Sequence, residues 1–237
     1  MKTLAKSRTL SLSLIAFGSL SLSARTNGAT VIWGAPTNIA GDSDVSTNGS
    51  LIRALNIGNS TTINGVLFEP TSFEATNGDF DFAGFTSIAS SSSPNGLSAS
   101  YVGLTISGYN TNSGNPTISL TMNNLTPGVQ YEFQWWSNLS DPAGDYRTSA
   151  NGGPELDANV SGLAGGTGQF QIGTFTADTP SQVITFAGSG TPGLFQVTGM
   201  LNGFQLRDLS GAAPIPEPNS ALLLGIALLG FATCRRR

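Results

Sequence analysis

Five residues in the middle of the chain have the side chains of a sugar-binding surface. Trp136 ends an aromatic stretch, and Asp141, Asp145, Tyr146 and Arg147 follow it directly. Carboxylates accept hydrogen bonds and a guanidinium donates them, while an exposed flat ring covers the apolar face of a pyranose. The group therefore predicts a ligand-binding site beside a loop at the edge of a sheet. Two alternatives stay open: a bulge turns Trp136 inward, or Arg147 simply pairs with Asp141 or Asp145 on the surface.

A second cluster of oxygen-bearing side chains lies at residues 41–49, where Asp42 and Asp44 alternate with other residues as in a calcium loop. The spacing departs from the EF-hand pattern, because Thr47 stands where that loop needs glycine and Arg53 where it needs a bidentate glutamate. A solvated turn is the alternative interpretation. We expect no cofactor, with a structural calcium ion at Asp42 and Asp44 as the open exception.

Catalytic chemistry has few candidates in this sequence. There is no histidine, and the single cysteine is Cys234, near the end of the chain. Serine–histidine, cysteine–histidine and histidine-ligated metal mechanisms are therefore excluded. Glu155 and Asp157 could be a glycosidase carboxylate pair, but neighbouring carboxylates are frequent on loops. We expect no enzyme activity.

The elements that carry these residues are predicted to be strands. Short apolar stretches alternate with Gly, Pro, Asn and Ser clusters, and no segment shows a convincing helical period. This pattern predicts an all-β protein, a two-sheet jelly-roll-like sandwich. The predicted strands are Thr30–Trp33, Ser50–Asn56, Gly65–Glu69, Phe80–Phe85, Tyr101–Ser107, Thr117–Asn123, Val129–Ser137, Gln169–Ala177, Gln182–Ala187, Phe195–Met200 and Gly203–Leu209.

The strand at 129–137 is the best defined, because a tight turn precedes it. Pro127 and Gly128 suit the two central positions of a type II turn, with Gly128 taking the positive φ. One face of the strand then holds an apolar set, which we expect in the core, and the other holds a polar set that ends in Trp136. The first set is Val129, Tyr131, Phe133 and Trp135, and the second is Gln130, Glu132, Gln134 and Trp136.

Both ends of the chain are apolar. Lys2, Lys6 and Arg8 precede an apolar run too short to span a bilayer, the pattern of a secretory signal peptide at 1–24. The small residues Ser21 and Ser23 fit cleavage after Ser23, and Ala24 or Ala29 would also serve. A retained signal anchor is the alternative. The ectodomain is then expected at 28–210.

The C-terminal end, residues 214–237, has three parts in order: a proline-rich segment, an apolar run at 220–234 and a basic cluster. The apolar run predicts a short transmembrane helix, and the basic cluster would lie on the cytoplasmic side. A buried terminal helix is the alternative, but such a helix should have a polar face. The residues that define the two flanking parts are Pro216, Glu217, Pro218, Arg235, Arg236 and Arg237.

This tripartite tail resembles the PEP-CTERM sorting signal of exported Gram-negative proteins. The resemblance implies that a membrane-embedded exosortase recognises Pro216, Glu217 and Pro218, and that Arg235–Arg237 retain the tail. It further implies export across the inner membrane, transient anchoring and then release to the cell surface or exterior. The exosortase and the membrane would be partners before processing.

Besides the turn and strand at 127–137, the ectodomain carries five short motifs: Asp44-Val45-Ser46, Asn48-Gly49, Asn64-Gly65-Val66, Gly173-Thr174-Phe175-Thr176-Ala177-Asp178 and Asn202-Gly203-Phe204-Gln205-Leu206-Arg207. Taken together, they are similar to ectodomains of such exported proteins, near the galactose-binding-like sandwiches, which include many carbohydrate-binding modules. The Leu125-Thr126-Pro127-Gly128 turn and Tyr131 also resemble the corner of fibronectin type III domains, although the domain is about twice too long for one.

These observations predict a secreted, non-catalytic β-sandwich that binds extracellular polysaccharide. The alternatives are a structural or adhesive matrix protein without specific sugar binding and, third, a carboxylate-dependent glycan-active enzyme. Between Ala29 and Gly211 only Arg53, Arg147 and Arg207 are basic, and Glu217 is the only one of the 14 acidic residues that lies outside this range. Nucleic acid is therefore not an expected partner.

Overall fold

The computed structural model describes residues 28–71, 79–84, 88–90, 92–112, 114, 117–141, 145–190 and 197–211. The predicted signal peptide at 1–24 lies outside these residues, as does the predicted sorting tail at 214–237 with its apolar run at 220–234. Within the described part of the chain, no helix has both the length and the apolar character needed to cross a bilayer.

The described residues form strands almost throughout. The strands are β1 (Ile32–Trp33), β2 (Thr37–Asn38), β3 (Ser50–Asn56), β4 (Thr61–Ile63), β5 (Val66–Pro70), β6 (Phe80–Ala83), β7 (Ile88–Ser90), β8 (Ser107–Asn112), β9 (Thr117–Met122), β10 (Gln130–Ser137), β11 (Arg147–Ala150), β12 (Leu156–Asp157), β13 (Gln169–Thr176), β14 (Gln182–Gly188), β15 (Val197–Leu201) and β16 (Gly203–Asp208). The helices are one short 3-10 turn, Asp42–Asp44, and one α-helix, α1 (Ala99–Thr105).

Two layers of sheet make up the sandwich. The first is an eight-stranded sheet in the order β1-β13-β10-β16-β3-β5-β4, with β2 also pairing with β13. Its neighbours are antiparallel except for the parallel pair β3 and β5. The second layer contains a five-stranded sheet, β12-β11-β14-β9-β6, and a three-stranded sheet, β15-β8-β7. The predicted all-β sandwich is confirmed, with a third, smaller sheet that the sequence did not indicate.

The main core lies between the two layers. Trp135 of β10 packs edge-on against Phe186 of β14 at 5.0 Å between ring centroids, and Phe80 of β6 meets Phe204 of β16 at 5.3 Å. Both contacts cross from one layer to the other. Tyr131, Phe133 and Trp135 are all buried there, so the predicted inward face of β10 is confirmed.

A second core covers the opposite face of the eight-stranded sheet. The loop before β3, helix α1 and the hairpin of β4 and β5 supply its apolar side chains. Its buried members are Ile39, Val45, Ala54, Ile63, Val66, Phe68, Tyr101, Leu104, Trp136 and Phe170. The first sheet is therefore buried on both faces, as sheets in layered proteins are when other elements pack over them.

One strand prediction is wrong. Tyr101–Ser107 was predicted as a strand, but residues 99–105 form α1 and the strand β8 begins only at Ser107. Ser98 provides the N-cap, since its Oγ accepts a hydrogen bond from the backbone N–H of Tyr101 at 3.1 Å. Tyr101, Leu104 and Thr105 recur at helical spacing and are the buried residues of the helix. Seven residues are too few for that period to stand out in a sequence.

The predicted turn before β10 is confirmed. Gly128 has φ of +85°, and the N–H of Val129 donates to the carbonyl of Thr126 at 3.1 Å, which closes the turn. The Tyr131 hydroxyl then accepts a hydrogen bond from the N–H of Thr126 at 2.8 Å. This bond ties the strand back to its own turn, as in a tyrosine corner.

Replacing Tyr131 by phenylalanine should therefore lower the free energy of unfolding by about 1 kcal/mol, the typical net contribution of one hydrogen bond. The ring should stay in place because it stacks on Phe175 at 5.5 Å between centroids. Urea denaturation of the two proteins measures the difference. An unchanged midpoint would show that the corner does not contribute to stability.

Candidate functional site

Trp136 is not exposed, so the prediction that it offers a stacking platform for a sugar is wrong. Its exposed fraction is 0%. The ring packs edge-on against Phe68 at 5.5 Å between centroids, and its Nε1 donates to the Tyr101 hydroxyl at 2.8 Å. The inward bulge that was the alternative does not occur either, since β10 keeps regular register with both neighbours. Trp136 lies on the predicted face, and α1 and β5 cover that face.

The polar residues beside Trp136 are also covered, because they hold the loop before β3 onto the sheet. The Gln134 Nε2 donates to the carbonyl of Asp44 at 2.7 Å, and its Oε1 accepts from the N–H of Ser46 at 2.9 Å. Arg207 donates through Nε to the carbonyl of Asn48 and through Nη2 to that of Gly49 at 3.2 Å. Burial lowers the pKa of Arg207, and the nearby charge of Glu132 partly offsets this. These side chains position a loop, so we assign them no ligand.

Asp42 and Asp44 lie in the 3-10 turn of that same loop. The Oδ2 of Asp44 accepts hydrogen bonds from the N–H groups of Ala40 and Gly41 at 2.7 and 2.9 Å. The Oδ1 of Asp42 accepts from the Ser98 hydroxyl at 2.6 Å. In the described residues, no group of three or more His, Cys, Asp or Glu side chains is placed to hold a metal ion. Calcium at Asp42 and Asp44 stays a prediction.

The other four predicted binding residues come together at one edge of the five-stranded sheet. Arg147 begins β11 and lies opposite Asp157 of β12 in the strand register. The Arg147 Nε donates to Asp145 Oδ1 at 2.8 Å, and Nη2 lies 3.9 Å from Asp157 Oδ2. The bond and charge of Asp145 raise the pKa of Arg147, with smaller contributions from Asp157 and Glu155. We call Asp141, Asp145, Arg147 and Asp157 the Arg147 rim.

The side chains of the rim are partly open to solvent. The exposed fractions are 42% for Arg147, 51% for Asp145 and 27% for Asp157. The pairing of Arg147 with Asp145, expected above as the surface alternative, is what the structure shows. Such a pair contributes little to stability, and part of each side chain is exposed to solvent.

A small apolar cluster supports the rim from below. It consists of Leu139, Tyr146, Ala158 and Met200, all buried. Burial raises the pKa of Tyr146, and the charge of Asp141 adds to this. Backbone bonds from Leu139 N–H to the Ala158 carbonyl and from Ala158 N–H to the Tyr146 carbonyl hold the segments together at 2.8 and 2.9 Å. Tyr146 is thus a support of the site and does not face solvent.

Asn159 connects the segment that ends at Asp141 with the segment 157–163. The sequence did not single it out as a site residue. Its Nδ2 donates to the carbonyls of Asp141 and Leu163 at 3.1 and 2.9 Å. Its N–H donates to Asp157 Oδ1 at 2.8 Å. The Asn-x-Ser-Gly spacing at 159–162 is typical of an Asx turn and could have indicated a structured loop.

Two carboxylates of this region accept hydrogen bonds from serine side chains, Asp141 of the rim and Glu155 near it. Asp141 Oδ1 accepts from the N–H and hydroxyl of Ser92 at 3.1 and 2.9 Å, which attaches the serine-rich loop to the site. Glu155 Oε1 accepts from the Ser189 hydroxyl at 2.6 Å. The sorting residues Pro216, Glu217, Pro218 and Arg235–Arg237 lie outside the described residues.

Comparison with protein families gives one match. A family described as the PEP-CTERM protein-sorting motif matches residues 214–237, so the chain carries this motif at its C-terminal end. The motif implies export, transient membrane anchoring and processing by an exosortase. No curated protein matches the chain.

Solved structures give matches of low similarity. Beta-glucuronidase 2 of Bacteroides uniformis is 17% identical, with a TM-score of 0.44, over 66% of this chain and 17% of that chain. An exo-beta-1,3-galactanase of Phanerochaete chrysosporium, bound to beta-1,3-galactotriose, is 16% identical, with a TM-score of 0.31, over 67% of this chain and 29% of that chain. The match thus spans less than a third of the length of either enzyme.

Proposed function

We propose that this chain is an exported, exosortase-processed, non-catalytic protein that binds carbohydrate at the cell surface or in the exopolysaccharide matrix. The sorting motif supports the export and processing. The Arg147 rim supports the carbohydrate binding, and it replaces the site centred on Trp136.

The binding proposal rests on the pairing of Arg147, the first residue of β11, with Asp145 and Asp157. A sugar hydroxyl donates one hydrogen bond and accepts others, so it needs an acceptor and a donor side by side. Here two carboxylates accept and one guanidinium donates, with their polar atoms within 2.8 and 3.9 Å of one another. The cross-strand register holds them before a ligand arrives, which reduces the entropy lost on binding.

The charge of the Arg147 rim argues against ligands rich in phosphate. In the described residues, Arg53 pairs with Glu69 at 2.9 Å and Arg207 is bound to loop carbonyls, so Arg147 is the cation of this edge. Asp145 and Asp157 lie within 2.8 and 3.9 Å of it, and the charge of Glu155 also acts on it. Phosphate-rich ligands such as nucleic acid require several cationic contacts, and the rim offers one.

Replacing Arg147 by alanine should weaken binding to exopolysaccharide roughly tenfold or more, because a hydrogen bond to a charged group contributes about 1.5–3 kcal/mol. The measurement is a glycan array followed by titration of the purified full chain with the best-binding glycan and with exopolysaccharide from the producing cells. Stability should change by less than about 1 kcal/mol, since the pair is on the surface.

Arg53→Ala is the matched control, because Arg53 forms a similar surface pair with Glu69 on the other sheet. It should bind like the wild type. Equal binding by both variants would contradict the assignment of the rim, and binding of no glycan by the wild type would contradict the function itself.

A further inference from the structure

An apolar turn lies directly beside the Arg147 rim. The segment 159–166 carries Leu163, whose side chain is 67% exposed, and Val160, which is 45% exposed. We propose that these two side chains select for a neutral sugar that carries a methyl group, such as a 6-deoxy or an acetylated residue. The inference rests on the proposed carbohydrate binding and specifies the ligand class.

The turn is held rigidly, and it is held next to the rim. Asn159 Oδ1 accepts from the Ser161 hydroxyl and the Gly162 N–H, both at 3.1 Å. Backbone bonds from Val160 N–H to the Thr167 carbonyl and from Gly165 N–H to the Ser140 carbonyl close it at 3.0 and 2.8 Å. The same Asn159 amide nitrogen bonds the carbonyls of both Leu163 and Asp141. The side chain of Asn159 therefore holds both the apolar turn and the Arg147 rim in place.

The kind of apolar surface indicates the kind of sugar. An aromatic ring suits the flat face of a pyranose, but no aromatic side chain is exposed among those that the structure describes. Leucine and valine present small, rounded surfaces that contact a projecting methyl group over most of its area. Removing one methyl from water in this way should strengthen binding about fourfold.

Charge indicates that the sugar is neutral. The rim holds three aspartates and one guanidinium, and the carboxylates of Asp145 and Asp157 lie 2.8 and 3.9 Å from that guanidinium, so the rim has an excess of negative charge. A uronate or a sulfated sugar would meet repulsion there, whereas hydroxyl and acetyl groups would not.

The experiment compares sugars that differ in one group, using the purified full chain. The pairs are oligosaccharides ending in 6-deoxygalactose or galactose, and in N-acetylglucosamine or glucose. We expect the wild type to bind the methyl-bearing member of at least one pair about fourfold to tenfold more tightly. In Leu163→Ser this ratio should fall to about one, while binding of the plain sugar is kept. Leu67→Ser, which changes a 51% exposed leucine of β5, should keep the wild-type ratio.

The outcomes separate the two proposals. Equal binding of both members by the wild type, or an unchanged ratio in Leu163→Ser, would overturn the methyl selectivity and leave the carbohydrate binding standing. Binding of a charged glycan without binding of any neutral sugar would overturn the inferred ligand class alone, and failure of every glycan to bind would overturn both. Unchanged denaturation midpoints in the two serine variants would confirm that the fold is intact, as expected for exposed positions.

Discussion

Replacing Trp136 by alanine should lower the free energy of unfolding by about 3–5 kcal/mol, the usual cost of deleting a large buried aromatic side chain. The ring fills the second core between Phe68 and Phe170. Its loss would also remove the hydrogen bond to Tyr101 and leave that hydroxyl with only its longer contact to Asp44, at 3.4 Å. Burial and the charge of Asp44 already raise the pKa of Tyr101. Urea denaturation followed by circular dichroism measures the change.

Two milder variants separate the volume of the ring from its hydrogen bond. Trp136→Phe keeps most of the ring volume, so it should lower the free energy of unfolding clearly less than alanine does. Tyr101→Phe removes the acceptor of the Trp136 Nε1 hydrogen bond and should lower it by about 1–3 kcal/mol. The double variant should cost less than the sum of the two, since they break the same bond. Glycan binding by the folded Trp136→Phe protein should equal that of the wild type. A selective loss of binding with normal stability would restore Trp136 as a contact residue.

Replacing Asn202 by alanine should be similarly severe, with a loss of about 3 kcal/mol or more. Its Oδ1 accepts from the N–H of Asn138 at 2.6 Å, and its Nδ2 donates to the carbonyls of Thr105, Ser107 and Asn138 at 3.0, 2.9 and 3.1 Å. Asn202 is fully buried between β15 and β16. Alanine would remove four hydrogen bonds to backbone groups, among them the bond from the buried Asn138 N–H, and a buried group that loses its partner costs about 1–3 kcal/mol. Thermal and urea unfolding give the measurement.

Asn202→Asp tests whether the donors matter most. It keeps the size and the acceptor but points a carboxylate at three carbonyls, so it should be at least as damaging as alanine. Asn38→Ala is the matched control, because Asn38 is exposed and its side chain accepts a single bond from Gln169 at 2.9 Å. Its effect should stay below about 1 kcal/mol. A cost for Asn202→Ala near that of the control would mean that water replaces the lost partners.

The rim could be predicted in part because its residues are close in the chain. Asp141, Asp145 and Arg147 lie within seven positions, so any fold that exposes this loop brings them near one another. Asp157 joins them through the pairing of β11 with β12, and Leu163 through the bonds of Asn159 and the bond from Gly165 to Ser140. The sequence also paired Glu155 with Asp157 as a catalytic candidate, and nothing in the described geometry assigns them that role.

Local sequence patterns were enough to predict the sorting tail, the class of the fold, the turn at Gly128 and the inward face of β10. Each of these features depends on residues that are a few positions apart in the chain. The apolar alternation in β10 assigns Tyr131, Phe133 and Trp135 to one face whatever packs against it. What covers the other face depends on residues far along the chain, such as Ser46, which bonds Gln134 across 88 positions. The burial of Trp136 under α1 and the gathering of the rim around Asn159 follow from such long-range packing, which no periodicity within one strand can predict.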